Sequence, residues 1–231
     1  MKIKHKLDAV SKILLVAAGK GGVGKSTIAL CLAEQLAAQG AKVGLADADI
    51  YGPSIPMMLG ITQKPDAING KIIPIETRGI KVISMGLLTP PESAIVWRGP
   101  MANKAILQLL SGTAWGELDY LIIDTPPGTG DIHISILENY HIDGVMIVTT
   151  PQKVAANDVV KAIDLYKKFN ATIMGIVENM SGAFAGSAGN DLARANGIKL
   201  IAQVPIISAI SENADAGQPI GHLIESVIPR G

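Results

Sequence analysis

Apolar residues along this chain fall into short runs, separated by segments in which apolar residues recur at helical spacing. Each run is apolar at successive positions, as expected for strands that are covered on both faces of a sheet. The predicted strands are residues 13–18, 42–46, 121–124, 144–149, 172–177 and 198–204.

Two segments between these runs show helical patterns. Residues 26–39 form one, and Gly40 follows them as a typical C-cap residue. Apolar residues also recur at helical spacing from 156 to 166, with charged residues between them. The alternation of strand and helix predicts an α/β fold with a doubly wound, mostly parallel sheet and helices on both faces.

Residues 67–84 interrupt the alternation. Asn69-Gly70 lies there between short β-like runs, which is typical of a two-residue hairpin loop. We expect a hairpin excursion from the sheet rather than a second domain. No internal repeat or linker is visible, so the prediction is a single domain over residues 1–231.

Composition and charge exclude several classes of function. Lys+Arg and Asp+Glu each number 20 and aromatic residues make up 3%, which argues against a general nucleic-acid or anionic-membrane binder. Lys2, Lys4 and Lys6 precede a short apolar run and together resemble a signal peptide, but the run is too short to span a membrane and leads into a glycine loop. We therefore expect a cytoplasmic protein with no membrane or nucleic-acid partner.

A glycine-rich loop follows the first predicted strand. Residues 19–26 read Gly-Lys-Gly-Gly-Val-Gly-Lys-Ser and match the phosphate-binding pattern G-x-x-x-x-G-K-[ST]. Glycines let backbone N–H groups converge on phosphate oxygens, Lys25 would contact the β- and γ-phosphates, and the Ser26 hydroxyl would bind Mg²⁺. The predicted nucleotide-binding residues are Gly19, Gly21, Gly22, Val23, Gly24, Lys25, Ser26 and Thr27.

Carboxylates follow two of the predicted strands. Asp124 ends its strand where a Walker B aspartate belongs, and Gly128 follows as a candidate N–H donor to a γ-phosphate. A helix cap or a turn is the alternative for Asp124. Asp131 precedes an apolar segment, residues 132–137, and could be an N-cap. Asp47 and Asp49 could hold a metal-bound water or orient the attacking water, or they could mark the change from strand to loop.

The additional lysine at the start of the glycine loop makes the motif more specific. With Lys20, the loop resembles the deviant Walker A class, which includes the MinD and ParA partition ATPases, the nitrogenase iron protein and the Mrp family. The resemblance implies that Lys20 reaches across a homodimer interface to the nucleotide of the partner. Without the resemblance, Lys20 would be a solvated loop lysine.

Further segments narrow the resemblance to the Mrp family of iron–sulfur cluster carriers, of which the chain is identified as a member from about residue 13 to residue 220. The matching segments are residues 47–56, 97–101, 115–120, 124–131, 149–152 and 178–181. The resemblance implies a Mg²⁺-dependent ATPase that forms a nucleotide-dependent homodimer and binds iron–sulfur assembly or client proteins.

The resemblance also implies roles for individual residues. Lys20, Lys25 and Asp49 would be catalytic, with Asp49 orienting the water. Ser26, Asp47 and Asp124 would hold Mg²⁺, the two aspartates through water. Asn179 would contact adenine and Pro205 would lie near the base, although Asn179 could instead end its strand.

The chain departs from the family where the cluster ligands are expected. The cysteines of the Cys-x-x-Cys pair fall on Ala185 and Ala188, and neither alanine can donate to iron. Cys31, the one cysteine, lies among apolar helix residues and is expected in the core. The four histidines are His5, His133, His141 and His222. They show no metal-ligand spacing, and we expect each to be exposed or hydrogen-bonded within the protein. The sequence thus offers no iron–sulfur ligands, and a bound cluster is doubtful.

Other functions stay open. A MinD- or ParA-like partition switch needs a basic amphipathic helix or a DNA-binding patch, and residues 221–231 offer only Arg230 as a cation. A nucleotide-dependent scaffold without turnover and a small-molecule ligase on the same fold are further alternatives. The leading hypothesis is the ATPase.

Overall fold

The central element is an eight-stranded sheet in the order β10-β9-β8-β1-β7-β2-β6-β5. This computed structural model describes residues 7, 9–88, 99–183 and 186–229. All neighbouring strands pair in parallel except β5 and β6, which are antiparallel. The strands of this sheet are β1 (Val10–Ala18), β2 (Val43–Asp47), β5 (Ile75–Thr77), β6 (Ile80–Ser84), β7 (Leu118–Asp124), β8 (Gly144–Thr149), β9 (Ile173–Ser181) and β10 (Leu200–Pro205).

Helices cover both faces of the sheet. They are α1 (Lys25–Ala38), α2 (Ile55–Met58), α3 (Met85–Leu88), α4 (Gly99–Gly112), α5 (Asp131–Asn139), α6 (Lys153–Lys168), α7 (Ala188–Asn196), α8 (Ser208–Asp215) and the 3-10 helix Gly221–Leu223. In the part of the chain that the structure describes, no helix has the length and apolar character that a membrane crossing requires. The predicted doubly wound α/β fold is confirmed.

Strand β1 shows how the core is divided. Leu15 and Ala17 belong to the apolar cluster beneath α4, α5, α6 and α7. Leu14 and Val16 belong to the cluster beneath α1. Since successive side chains of a strand point to opposite faces, one apolar run supplies both halves of the core.

The predicted strands are all present, and some begin earlier than the apolar pattern indicated. β1 begins at Val10 because the backbone pairing with β7 continues through Ser11 and Lys12, which are exposed. Polar residues at an exposed strand end leave no apolar signal. Helices α4, α7 and α8 were not predicted.

The prediction for residues 67–84 is only partly correct. Asn69-Gly70 does form a hairpin loop, between β3 (Ala67–Ile68) and β4 (Lys71–Ile72). The rest of the segment is not an excursion, because β6 pairs in parallel with β2 inside the main sheet. Ile80, Val82 and Ile83 are buried there, which is the physical reason that the strand joins the sheet.

Several residues singled out in the sequence lie outside the described residues. They are Lys2, Lys4, His5, Lys6, Trp97, Arg98, Ala185 and Arg230. The single domain over residues 1–231 therefore stays a prediction.

Candidate functional site

The glycine loop connects β1 to α1 at the carboxyl edge of the sheet. Gly24 has φ +81°, in the left-handed region where a Cβ is disfavoured. The side-chain amide of Asn179 donates to the carbonyl of Val23 at 2.9 Å and occupies the space a Cβ at Gly24 would need. Conformation and crowding thus both require glycine at position 24.

Helix α1 presents an uncapped N-terminus to this loop. Gly24 is its N-cap residue, no side chain caps it, and its first turn contains no acidic residue. The first N–H groups of a helix have no partner within the helix and carry partial positive charge. This end of the 14-residue helix is therefore suited to an anion such as a phosphate.

An open cavity of about 520 Å³ lies beside the loop. Its predicted site residues are Lys20, Gly21, Gly22, Gly24, Lys25, Ser26, Thr27, Asp49, Asn179 and Pro205. Apolar side chains from two helices line it as well, Met57 from α2 and Ile210 from α8 among them. Polar loop groups on one side and apolar side chains on the other suit a phosphate-bearing ligand with an aromatic base.

The other predicted nucleotide residues lie outside the lining of this cavity. A Cβ at Gly19 would overlap the backbone of Asp158, so Gly19 packs closely against α6. Val23 is buried. The N–H of Gly128 donates to the carbonyl of Ala18 at 2.8 Å, so this predicted γ-phosphate donor already has a partner in the chain without ligand.

Lys25 and Asp124 form the central ion pair of the site. The Lys25 ammonium lies 2.5 Å from Oδ1 of Asp124 and 3.9 Å from Oδ2 of Asp49. Asp124 is fully buried at the end of β7, and its Oδ2 has no hydrogen-bond partner in the described structure. A buried carboxylate oxygen without a donor is free to accept from a metal-bound water.

Asp47 lies beside Asp124 at the end of the neighbouring strand β2. Its Oδ1 accepts the N–H of Asp49 at 3.2 Å. Its Oδ2 accepts the Ser84 hydroxyl at 3.0 Å and the N–H of Ile55 at 3.3 Å. Burial, and then the nearby charge of Asp124, raise the pKa of Asp47 to about 7. Asp47 thus holds the loop that follows β2.

Asp49 follows Asp47 in this loop and lines the cavity. Its Oδ1 accepts the N–H of Gly52 at 3.3 Å, and its Oδ2 is the oxygen that faces Lys25. The carboxylate is therefore oriented at the cavity wall. Lys20, in the glycine loop, donates to Oε1 of Gln152 at 3.1 Å.

The residues around Lys25 fit a magnesium ion that arrives with a phosphate ligand. No group of three or more His, Cys, Asp or Glu within the described ranges is placed to hold a metal by itself. Mg²⁺ is commonly bound by one or two carboxylates together with substrate phosphates and water. The unpartnered Oδ2 of Asp124 and the hydroxyl of Ser26 provide that kind of protein ligand.

Two buried polar residues lie near the site. His133, expected to be exposed or internally bonded, is buried on α5 with both ring nitrogens bonded. Sequence reasoning missed the structural role of Glu178, which is buried on β9 and accepts from the N–H of Gly189 at 2.7 Å. The position of His133 between Ile132 and Ile136 at helical spacing favours the internally bonded alternative.

The segment where the family places its cysteines is only partly described. Ala188, the first residue of α7, is buried, and its N–H donates to the carbonyl of Pro151 at 3.3 Å. Cys31 is fully buried on α1, and burial raises the pKa of its thiol. The expectation that Cys31 lies in the core is confirmed.

Comparisons with known proteins agree on one family. A family model for ParA, described as NUBPL iron-transfer P-loop NTPase, matches residues 9–227. A Rickettsia bellii (strain RML369-C) protein named iron-sulfur cluster carrier protein is 55% identical over 224 residues, which are 97% of this chain and 70% of that protein.

Solved structures show the same fold. A nucleotide-binding protein from Archaeoglobus fulgidus in complex with ADP is 37% identical, with a TM-score of 0.80, over 92% of this chain and 88% of that chain. The Pyrococcus furiosus cell division ATPase MinD is 23% identical, with a TM-score of 0.70, over 90% of this chain and 89% of that chain. At this lower identity, the second likeness concerns the fold alone.

Proposed function

The chain belongs to the ParA family of NUBPL-type iron-transfer P-loop NTPases, and from that premise we propose a Mg²⁺-dependent ATPase that acts as a nucleotide-dependent homodimer. Its work would be iron–sulfur cluster assembly or transfer, in the cytoplasm, with no membrane or nucleic-acid partner. The observation that carries the proposal is the position of Lys25, at the open glycine loop and between Asp124 and Asp49.

Phosphate binding would use charges and dipoles that the fold already orients. The glycine loop and the N-terminus of α1 line the cavity, and Lys25 would exchange Asp124 for phosphate oxygens when a triphosphate enters. Ser26 and Asp124 would hold Mg²⁺, which when bound neutralises charge on the phosphates. Asn179 and Pro205 would lie beside the base.

Hydrolysis also needs an oriented water. Asp49 faces the cavity and would accept a hydrogen bond from that water, as an in-line attack requires. Asp47 would act through Asp49, because it holds the Asp49 backbone. Lys20 would leave Gln152 and reach the nucleotide of the second protomer, which makes turnover dependent on dimerisation.

The proposed role in iron–sulfur cluster transfer is based on the name of a relative and on the single cysteine of this chain. The Rickettsia bellii relative is named as a cluster carrier. This chain offers one cysteine, and that cysteine is fully buried. We therefore propose that a partner protein supplies the thiolate ligands and that this chain contributes the nucleotide-dependent step.

Phosphate release measured with Lys25→Met and Asp49→Asn tests the ATPase proposal. Each substitution removes a group placed against the reacting phosphate or water, and we expect turnover to fall roughly 100-fold or more. Asp49→Asn should still bind ATP, because the loop N–H groups, the N-terminus of α1 and Lys25 are unchanged. The matched control is Lys167→Met, which changes an exposed lysine on α6.

The outcomes separate the alternatives. Equal turnover in Lys25→Met and wild-type protein would contradict the mechanism. ATP binding by the wild type without phosphate release would favour a nucleotide-dependent scaffold. Anaerobic iron and sulfide reconstitution of the protein alone should leave no stoichiometric cluster, and a stable cluster would contradict the role of partner thiolates.

A further inference from the structure

A buried histidine lies directly behind the loop that follows the Walker B strand. His133 belongs to α5 and is 1% exposed. Its Nδ1 lies 2.7 Å from the hydroxyl of Tyr166 on α6, and its Nε2 lies 2.9 Å from the carbonyl oxygen of Pro126. The two rings meet edge to face, with centroids 6.1 Å apart.

These contacts determine which nitrogen carries the proton. A carbonyl oxygen only accepts, so Nε2 must be the N–H that donates to Pro126. Nδ1 then accepts from the Tyr166 hydroxyl. Burial, and secondarily the charge of Lys25, lower the pKa of His133 to about 4, so the ring is neutral at physiological pH.

Pro126 lies in the loop between the Walker B aspartate and Gly128. It stands two residues after Asp124 and two residues before Gly128. Pro126 and Pro127 have no backbone N–H, so this stretch of backbone can be held only through its carbonyl groups. The Asp124 side chain contacts Lys25, the N–H and hydroxyl of Thr125 donate to the carbonyl of Val16, and the N–H of Gly128 donates to Ala18. His133 donates to the Pro126 carbonyl, which lies between Thr125 and Gly128.

We propose that His133 is a positioning residue for the ATPase reaction. As the neutral Nε2–H tautomer it connects Tyr166 to the Pro126 carbonyl and sets the place of Asp124 and Gly128 relative to the bound triphosphate. The inference rests on the proposed ATPase function. His133 does not line the nucleotide cavity, so it acts through the loop and not on the phosphates.

Three substitutions separate the Pro126 hydrogen bond from the packing of the ring. In His133→Gln the side-chain amide can still donate to Pro126. In His133→Asn the shorter side chain can still accept from Tyr166 but does not reach Pro126. In Tyr166→Phe the ring remains in the core and the bond from His133 to Pro126 is kept.

Steady-state kinetics give the first readout. His133→Asn should lower kcat roughly tenfold with KM changed less than about threefold, since the lost hydrogen bond acts on the reacting arrangement. His133→Gln and Tyr166→Phe should stay within about threefold of the wild-type kcat. The control is His141→Gln, at a histidine whose side chain is 73% exposed.

Two further measurements do not depend on turnover. Long-range ¹H–¹⁵N correlations of histidine-labelled wild type should show the Nε2–H tautomer for His133. His133→Asn should bind ATP normally without Mg²⁺ and gain less affinity than the wild type when Mg²⁺ is added, because Asp124 is displaced. Thermal unfolding of each variant shows whether it folds, and the wild-type tautomer tests the proposal even if His133→Asn does not.

The outcomes are distinguishable. An Nδ1–H tautomer, or a His133→Asn variant with wild-type kcat and wild-type Mg²⁺ response, would overturn the role of His133. A His133→Gln variant as impaired as His133→Asn would overturn it as well, because the variant that can still donate to Pro126 would then be no better than the one that cannot. If the wild type does not hydrolyse ATP, the proposed function fails, and the tautomer and the Mg²⁺ response still decide the role of His133.

Discussion

At the scale of single residues, the ion pair between Lys25 and Asp124 contributes to the stability of the fold when no nucleotide is bound. Both side chains are almost completely removed from water. Transfer of two charges from water to the interior costs several kcal/mol for each ion, and mutual attraction offsets that cost. Either charge without the other would therefore destabilise the fold.

This pair gives a prediction for stability. Lys25→Met should lower the free energy of unfolding by about 3 kcal/mol, because the Asp124 carboxylate would be buried without a cation. Lys25→Met combined with Asp124→Asn should recover most of the loss. Urea denaturation without nucleotide or Mg²⁺ measures both effects. Lys42→Met, at the exposed pair with Glu117, should change stability little. Additive losses in the double variant would contradict the pairing.

The sequence predicted the residue types of the site better than their contacts. The glycine loop and the carboxylates after two strands follow from residue type and from their position at the carboxyl ends of strands. The contact between Lys25 and Asp124 joins positions 99 residues apart, which spacing along the chain does not show. The hydrogen bonds that Asp47 accepts depend equally on how the loop after β2 folds back.

At the scale of elements, β9 connects the nucleotide loop to the segment around residue 187. Its successive residues Glu178 and Asn179 point to opposite faces of the sheet. Asn179 donates to the glycine loop on one face. On the other face, Glu178 accepts the N–H of Gly189 at 2.7 Å and the side-chain amide of Gln203 at 2.8 Å.

Glu178 should therefore stabilise the beginning of α7 and the edge strand β10. In Glu178→Ala, the N–H of Gly189 loses its acceptor, and we expect hydrogen exchange in residues 186–196 to accelerate roughly tenfold or more. Exchange in α4 should stay unchanged. Glu138→Ala, at an exposed glutamate on α5, is the matched control. Unchanged protection in residues 186–196 would show that packing alone holds this segment.

The strength of the apolar pattern decided which elements could be predicted. Each central strand contains an uninterrupted apolar run, and the sequence showed those runs clearly. Helix α7 contains a glycine and several polar residues and buries few side chains, so its pattern is weak. The segment that contains β6 was predicted to be a hairpin excursion because Asn69-Gly70 is a local signal, whereas the parallel contact of β6 with β2 is not local.

At the scale of the whole molecule, the C-terminal part of the described chain packs back on α1. The Glu34 carboxylate accepts the N–H of Ile220 at 2.8 Å, and the Gln35 side chain accepts the N–H of Val227 at 2.9 Å. Arg78 donates to Glu34 at 2.6 Å and also to the carbonyl of Gly217. Helix α1 is thus held by the sheet on one side and by this segment on the other.

Cys31 lies on the same helix, and its complete burial has a consequence for labelling experiments. A thiol reacts with iodoacetamide as the thiolate, so alkylation of Cys31 requires α1 to separate from the sheet. Mg–ATP at about 100 times its dissociation constant should slow this alkylation about 100-fold, since the nucleotide binds only molecules with an intact loop. A nucleotide-independent rate would mean that Cys31 becomes accessible while the loop stays formed. The rate at which the one thiol of the chain is alkylated therefore measures, without any substitution, how often α1 separates from the sheet.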